Sequence, residues 1–292
     1  MSGVQCPVSG GSSINCNWSS ISGSVRDVPG VGVKQCQTCQ LVTHTSDLRN
    51  RVNYESGSMH EWSVGYGELN LEKPETDIGR RMEALKILSE SHKIETVLDF
   101  GCGTGEMLRA MSEFYTVSGV EPDQQAREKA QAFGNVIWDS AVDAISSGEK
   151  YDLVTLFHVV EHLYQPFVEL ERVKSLLHPG GILVIETPNA NDALLTIYAS
   201  KAFQQFTYWS HHPMLHSDSS LKSLLVNTGF SILEDGGVQR YNLANHLYWL
   251  STGKPGGHDI WLDLVSQETN TQYQMDLIER KTCDTLWFVA RT

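Results

Sequence analysis

Apolar residues change their spacing along this chain, and the change predicts alternating helices and strands. Over residues 75–92 they recur every three or four positions, which gives a helix one apolar face. From residue 95 onward, short apolar runs alternate with helix-compatible stretches, as expected for strands buried on both faces. The predicted strands cover residues 97–100, 116–120, 135–138, 151–157, 182–185, 230–233 and 285–290. The pattern therefore predicts an α/β fold.

A glycine-rich turn follows the first predicted strand of this series. Gly101, Gly103 and Gly105 separate that strand from a helix-compatible run, and glycine lets backbone approach a ligand closely because it has no Cβ. The next predicted strand ends at Glu121, where a carboxylate can accept hydrogen bonds from ribose hydroxyls. Together they predict a site for an adenosine-type cofactor. The alternative is a structural turn followed by a surface acid.

The sequence of residues 98–105, Leu-Asp-Phe-Gly-Cys-Gly-Thr-Gly, resembles the first motif of class I S-adenosylmethionine-dependent methyltransferases. Its glycines are spaced G-x-G-x-G, whereas dinucleotide dehydrogenases favour G-x-G-x-x-G. Residues 157–163, 178–189 and 220–230 also resemble segments of that family. The resemblance implies a doubly wound, mostly parallel, seven-stranded Rossmann-like sheet. It divides the chain into a Cys-containing N-terminal appendage (1–74), a cofactor-binding core (75–235) and an insertion with the last strand (236–292).

The resemblance also implies which residues bind the cofactor, S-adenosylmethionine. Asp139 follows the third strand, where the family has an acid that bonds the adenine amino group; a solvated loop acid is the alternative. His158 leaves the fourth strand at the edge of the sheet where ligands bind. The full predicted set is Asp99, Gly101, Cys102, Gly103, Gly105, Glu121, Asp139 and His158.

Methyl transfer to a hydroxyl or carbon acid requires removal of a proton, and histidine is the usual base at neutral pH. The candidates near the predicted site are His158, His162, His211, His212 and His216. In the resembled family a histidine stands nine residues before the leucine that opens a late helix. Counting back from Leu221 gives His212, which we predict to be the catalytic base. Structural packing of the histidine pair is the alternative.

The first forty residues contain four of the six cysteines, and Cys36-Gln-Thr-Cys39 is a C-x-x-C pair. In a cytoplasmic protein such a cluster indicates a metal more than disulfides. The resembled methyltransferases that act on sugars and surface glycans often begin with C-P-x-C and C-x-x-C. Here Ser9 occupies the position of the second cysteine. We predict zinc on Cys6, Cys36 and Cys39, with Cys16 or His44 as candidates for completion. A degenerate knuckle held by packing is the alternative.

Composition narrows the function further. The net charge of −13 argues against nucleic-acid binding, which depends on Lys and Arg neutralising phosphates. Neither a secretory signal nor a membrane-spanning run is evident, so we expect a cytoplasmic protein. The predicted function is methyl transfer from S-adenosylmethionine to a small molecule, most plausibly a sugar or surface-glycan precursor. Alternatives are a non-catalytic cofactor-binding module and a nicotinamide-dependent oxidoreductase. The insertion is predicted either to cover the substrate or to form a homodimer face. Residues 54–66 are predicted either to cover the cofactor or to pack against the core as a strap.

Overall fold

The computed structural model describes residues 6–10, 16–51, 74–134 and 136–292. The predicted cover at residues 54–66 therefore lies outside the described residues. The strands are β1 (Trp18–Ser24), β2 (Gly32–Cys36), β3 (Val42–His44), β4 (Thr96–Phe100), β5 (Thr116–Val120), β6 (Ile137–Trp138), β7 (Tyr151–Phe157), β8 (Leu177–Pro188), β9 (Met214–Leu215), β10 (Ser231–Val238) and β11 (Thr285–Arg291). The helices are α1 (Pro74–Ser91), α2 (Glu106–Met111), α3 (Gln124–Ala130), α4 (Ala141–Ser146), α5 (Pro166–Leu176), α6 (Lys201–Thr207), α7 (Asp218–Asn227), α8 (Leu243–Thr252), α9 (Gly257–Ile260) and α10 (Gln267–Glu279).

The larger sheet has seven strands in the order β10-β11-β8-β7-β4-β5-β6. Strands β4 to β8 pair in parallel, and β11 is antiparallel to both of its neighbours. Central strands such as β7 are mostly apolar and largely buried because helices cover both faces of the sheet. The predicted doubly wound, mostly parallel fold is confirmed.

A smaller antiparallel sheet, β1-β2-β3-β9, joins the N-terminal segment to the late part of the chain. Strand β9 lies just after the histidine pair, and its Leu215 pairs with Val42 of β3. Cys6, Leu41 and other N-terminal residues share one hydrophobic core with Leu98 of β4 and Leu224 of α7. The N-terminal residues described therefore pack directly on the core of the large sheet.

Several predicted boundaries shift in the structure. Helix α6 begins only at Lys201, because Asp192 and Asn189 hold the preceding turns with side-chain bonds to backbone N–H groups. Strand β10 runs on to Val238, so the insertion spans residues 239–284 and consists mainly of α8, α9 and α10. Among the described residues, no helix is both long enough and apolar enough to cross a membrane.

Candidate active site

The glycine turn lies between β4 and α2, at the carboxyl edge of the large sheet. Gly101 and Gly103 both have left-handed φ angles, +79° and +54°, which other residues adopt only with strain. A Cβ on Gly101 would lie 2.5 Å from Cγ2 of Val159, whereas a Cβ on Gly103 would meet nothing within 4 Å. Gly101 is thus needed for packing, and the backbone at Gly103 faces open space in which a ligand fits.

Glu121 connects the end of β5 to this turn. One carboxylate oxygen accepts a hydrogen bond from the Gly103 N–H at 2.8 Å, and the other accepts one from the Asp123 N–H at 2.8 Å. Burial raises the pKa of Glu121, although the two backbone bonds oppose that shift. Asp123 caps α3 through Oδ1, while its Oδ2 is buried with no hydrogen-bond partner among the described residues. Glu121 thus ties the glycine turn to the start of α3, and its role toward a ribose stays a prediction.

The other predicted cofactor residues occupy different environments. Asp99 is buried and accepts a hydrogen bond from Thr155 Oγ1 at 2.7 Å, and burial raises its pKa to about 6. The Cys102 thiol is buried against Gly119, and burial raises its pKa as well. Gly105 is the N-cap of α2. Asp139 is exposed just beyond β6. Their roles toward the cofactor stay predictions.

His158 follows β7 and adopts a left-handed backbone with φ +56°, which brings its ring between two buried acids. Its Nδ1 lies 3.3 Å from Glu161 Oε1, and its Nε2 lies 3.3 Å from Glu186 Oε1. Burial alone would lower the pKa of His158, but the adjacent carboxylates of Glu161 and Glu186 outweigh it and raise that pKa. His158 thus links the ends of β7 and β8 through an acid on each side of its ring.

Glu186 is a functional candidate that the sequence reasoning missed. It is fully buried, and Arg81 donates two hydrogen bonds to its Oε1 while Arg80 Nη1 lies 2.8 Å from its Oε2. Burial would raise the pKa of Glu186, yet the neighbouring His158 and arginines hold it far below its ordinary value. The signal was present as an acid ending a central strand and as the basic pair Arg80-Arg81.

The insertion also reaches this edge. Arg240 makes ion pairs with Asp284 at 3.3 Å and Asp77 at 3.6 Å, and its Nη1 lies 3.5 Å from His158 Nε2. Its pKa is raised: burial opposes the charge, but Asp284 and the other acids more than compensate. The charged network at the strand ends therefore includes residues from α1, β7, β8 and the insertion.

The histidine pair, His211 and His212, lies beside the same charged network. The ring of His212 is 5.0 Å from that of His162, and His162 Nδ1 is 2.6 Å from the backbone carbonyl of His211. Burial and the proximity of His162 push the pKa of His212 well below its usual range. His212 Nδ1 is buried with no hydrogen-bond partner in the described part of the chain. The structure thus brings His212 near His158 and Glu161, whereas His216 is buried in the core.

The N-terminal cysteines come together from separate segments. Cys6 Sγ lies 3.8 Å from Cys39 Sγ, and Cys16 Sγ lies 3.3 Å from Cys36 Sγ. The sulfurs of Cys6, Cys16 and Cys39 all lie within 4.8 Å of one another. Sulfurs bound to one zinc at about 2.3 Å lie about 3.8 Å apart in a tetrahedron, so the spacing of the Cys6, Cys16 and Cys39 sulfurs is close to what that ion requires, and Cys36 lies against Cys16.

His44, the other candidate for completing the metal site, and Ser9, in the position of the family's second cysteine, both make other contacts. His44 Nε2 lies 3.1 Å from the Trp209 carbonyl, and Ser9 Oγ donates to the Cys6 carbonyl at 3.0 Å. Cys16 is therefore the residue that accompanies the predicted Cys6, Cys36 and Cys39.

This fold and site define a class of protein, and comparison with known families agrees. Residues 72–235 match the family model described as a methyltransferase domain. The match covers more than half of the chain, and the chain belongs to this methyltransferase family. The predicted class of enzyme is confirmed, and the family is not one of nicotinamide oxidoreductases.

Individual relatives are more distant. An enzyme named ubiquinone biosynthesis O-methyltransferase from Bradyrhizobium diazoefficiens is 33% identical over 102 residues, which is 32% of this chain and 40% of that protein. Its namesake from Leptothrix cholodnii is 26% identical over 53% of this chain and 72% of the relative. The chain spans 40–46% of the length of the first three such relatives. An S-adenosylmethionine-dependent methyltransferase structure from Archaeoglobus fulgidus has 22% identity and a TM-score of 0.46, covering 72% of this chain and 94% of the other.

Proposed function

We propose that this chain transfers a methyl group from S-adenosylmethionine to a small molecule. The single observation that carries the proposal is the buried Glu121 carboxylate, bonded to the Gly103 N–H beside open space. Each carboxylate oxygen keeps a second lone pair after its backbone bond, so Glu121 can still accept bonds from ribose hydroxyls. Bound there, the cofactor supplies an electrophilic methyl group attached to a sulfonium, and the leaving group is a neutral thioether.

The chain's own residues then align the reactants and exclude water. His158 and Glu186 fix the ends of β7 and β8 through their contacts, and Arg240 brings the insertion against them. These contacts are consistent with a core at 75–235 and an insertion that covers the acceptor side, and the N-terminal appendage stays a prediction. In this proposal His212 is the group that prepares the acceptor for attack, since it is buried beside the network and its Nδ1 lacks a partner among the described residues.

The acceptor class is a finer proposal. The matched relatives are named for O-methylation, and the N-terminal cysteines resemble those of sugar methyltransferases, so we propose a hydroxyl of a sugar or surface-glycan precursor. Transfer of labelled methyl from S-adenosylmethionine to a panel of nucleotide sugars, free sugars and phenols tests this choice. Labelling of phenols alone would reject the sugar assignment and leave the methyltransferase activity intact.

Removing the Glu121 carboxylate is expected to weaken cofactor binding. Glu121→Ala should lower the affinity for S-adenosylmethionine about 10- to 100-fold, as expected for a lost hydrogen bond to a charged group. Isothermal titration calorimetry measures the affinity, and Glu121→Gln shows how much of the loss is due to charge. Glu128→Ala, an exposed acid on the neighbouring α3, is the control. Unchanged affinity in Glu121→Ala would remove Glu121 from the site.

We also propose that zinc is held by Cys6, Cys16, Cys36 and Cys39 and braces the acceptor side of the fold. Ser217 and Ser219 donate hydrogen bonds to the Cys39 carbonyl, and Ser217 is the N-cap of α7. A closed four-thiolate set is typical of structural rather than catalytic zinc. The ion would thus fix the segment that precedes α7.

Elemental analysis of protein purified without chelator should find about one zinc per chain. Cys16→Ser should reduce that content, because serine is not a normal zinc ligand. Ser9→Ala is the matched control and should retain zinc, since Ser9 Oγ bonds the Cys6 carbonyl instead. Zinc far below one per chain in the unaltered protein, with Cys16→Ser equally stable, would establish that the cysteines only pack.

A further inference from the structure

The carboxylate of Glu161 and the imidazoles of His162 and His212 form a cluster of which the methyl-transfer proposal uses only His212. One ligand atom from each residue lies within 4.8 Å of the other two. Glu161 and His162 are adjacent in a short 3₁₀ turn after β7, and His212 comes from the segment before β9. Two imidazoles and one carboxylate are a donor set typical of divalent transition metals with open coordination positions.

Two buried atoms in this cluster lack hydrogen bonds among the described residues. These are Glu161 Oε1 and His212 Nδ1. Glu161 Oε1 lies 3.3 Å from His158 Nδ1, an ion-pair distance without hydrogen-bond geometry. A buried acceptor left unpaired costs free energy, so such atoms call for an explanation by an ion or a water molecule.

The surroundings hold two of the residues in the form a metal requires. His162 Nδ1 lies 2.6 Å from the His211 carbonyl, which can only accept, so the ring donates from Nδ1 and carries its lone pair on Nε2. Glu161 Oε2 accepts a hydrogen bond from Thr187 Oγ1 at 2.9 Å. Such contacts behind the ligands orient them and fix the histidine tautomer at metal sites.

We propose that Glu161, His162 and His212 bind a divalent transition-metal cation beside the acceptor. Donor atoms about 2.1 Å from an ion lie about 3.0–3.4 Å apart, so the three side chains contract around it. Binding of the cation does not depend on the proposed function; only the role of the cation in methyl transfer rests on it. Coordination of an acceptor hydroxyl would lower the pKa of that hydroxyl. Its proton passes to solvent, its oxygen bonds the methyl carbon, and the electron pair of the broken carbon–sulfur bond stays on sulfur.

Manganese(II) is the probe, because it prefers carboxylate and imidazole to the thiolates of the N-terminal cysteines. Electron paramagnetic resonance of Mn²⁺ with the full chain should show one bound ion with a dissociation constant below about 1 mM. Glu161→Gln and His212→Gln should each weaken binding at least about 10-fold, as for loss of one ligand. His92→Gln, at the opposite end of the large sheet, is the control and should bind normally.

The outcomes separate this inference from the proposed function. Absence of Mn²⁺ binding to the unaltered chain, or binding by both glutamine variants as tight as that of the unaltered chain, overturns the metal site. Calorimetry with S-adenosylmethionine on the same samples reports the cofactor site independently, and a failed cofactor titration alongside normal Mn²⁺ binding would overturn only the proposed function. If either glutamine variant unfolds, thermal unfolding replaces the binding test. Mn²⁺ should then raise the Tm of the unaltered protein and leave the Tm of His162→Asn unchanged.

Discussion

Replacing His212 with alanine is expected to lower the turnover number of methyl transfer about 10²–10⁴-fold, the usual contribution of a group that handles the acceptor proton. The affinity for S-adenosylmethionine should stay nearly unchanged, because the predicted ribose acceptors lie at the end of β5 and His212 lies before β9. Single-turnover kinetics with labelled cofactor measure the first effect, and calorimetry measures the second. This split between chemistry and binding is expected whether His212 removes the proton itself or ligates a cation.

The controls for His212→Ala decide what a loss of activity means. His92→Ala, at the far end of the sheet, should retain turnover, and near-ultraviolet circular dichroism should show that both variants keep their tertiary packing. Normal turnover in His212→Ala would transfer the role to His158 or His211. A His212→Ala protein that fails to fold would mean that the histidine pair serves packing. Intact cofactor binding with no transfer by the unaltered chain to any acceptor would favour the non-catalytic module.

Replacing Glu186 with glutamine is expected to destabilise the protein by about 3–5 kcal/mol at pH 7, the usual cost of removing one partner of a buried ion pair. Glu186 is fully buried, and Arg80 and Arg81 both point their guanidinium groups at it. Glutamine keeps the shape and removes the charge, so Arg81 loses its carboxylate partner and Arg80 keeps only its ion pair with Asp77. Urea unfolding followed by circular dichroism measures the change in the free energy of unfolding.

The pH dependence of the Glu186→Gln effect has a defined sign. The neighbouring cations hold the pKa of Glu186 far below its ordinary 4.5, so its contribution to stability is complete above pH 4.5. As the pH falls below 4.5, the unfolded chain takes up the proton and that contribution is progressively lost. The difference between the two proteins should therefore shrink in acid. Glu95→Gln, from an exposed ion pair with Lys93, should change stability at neither pH. A constant difference down to pH 3 would contradict the assignment.

The glycine turn and the acid after the second strand of the core could be predicted from sequence because they depend on local chemistry. Gly103 needs a left-handed φ and free space, and Glu121 needs only to end a strand next to that turn. The large sheet was equally predictable, since buried parallel strands require continuous apolar runs. The start of α6 and the end of β10 were not predictable from sequence. Side-chain bonds set the first, and antiparallel pairing with β11 sets the second.

The histidine and cysteine clusters show the limit of that reasoning. Counting along the chain selected His212 but gave no sign that Glu161 and His162 lie beside it, because the three come together only when β9 joins the small sheet. The C-x-x-C pair indicated a metal, yet spacing could not choose between Cys16 and His44. Pairing of β1 with β2, which aligns Trp18 with Cys36, brings Cys16 to the cluster.

The sequence by itself determined the α/β class, the order of the core strands along the chain and the glycine turn, since each follows from side-chain periodicity or from backbone freedom at single residues. Only the tertiary structure decided which charges share one edge of the sheet. The charges at this edge come from distant parts of the chain: Arg80 and Arg81 from α1, His158 after β7, Glu186 at the end of β8 and Arg240 from the insertion. They meet because parallel strands end at a common edge and because a buried charge is stable only beside its opposite.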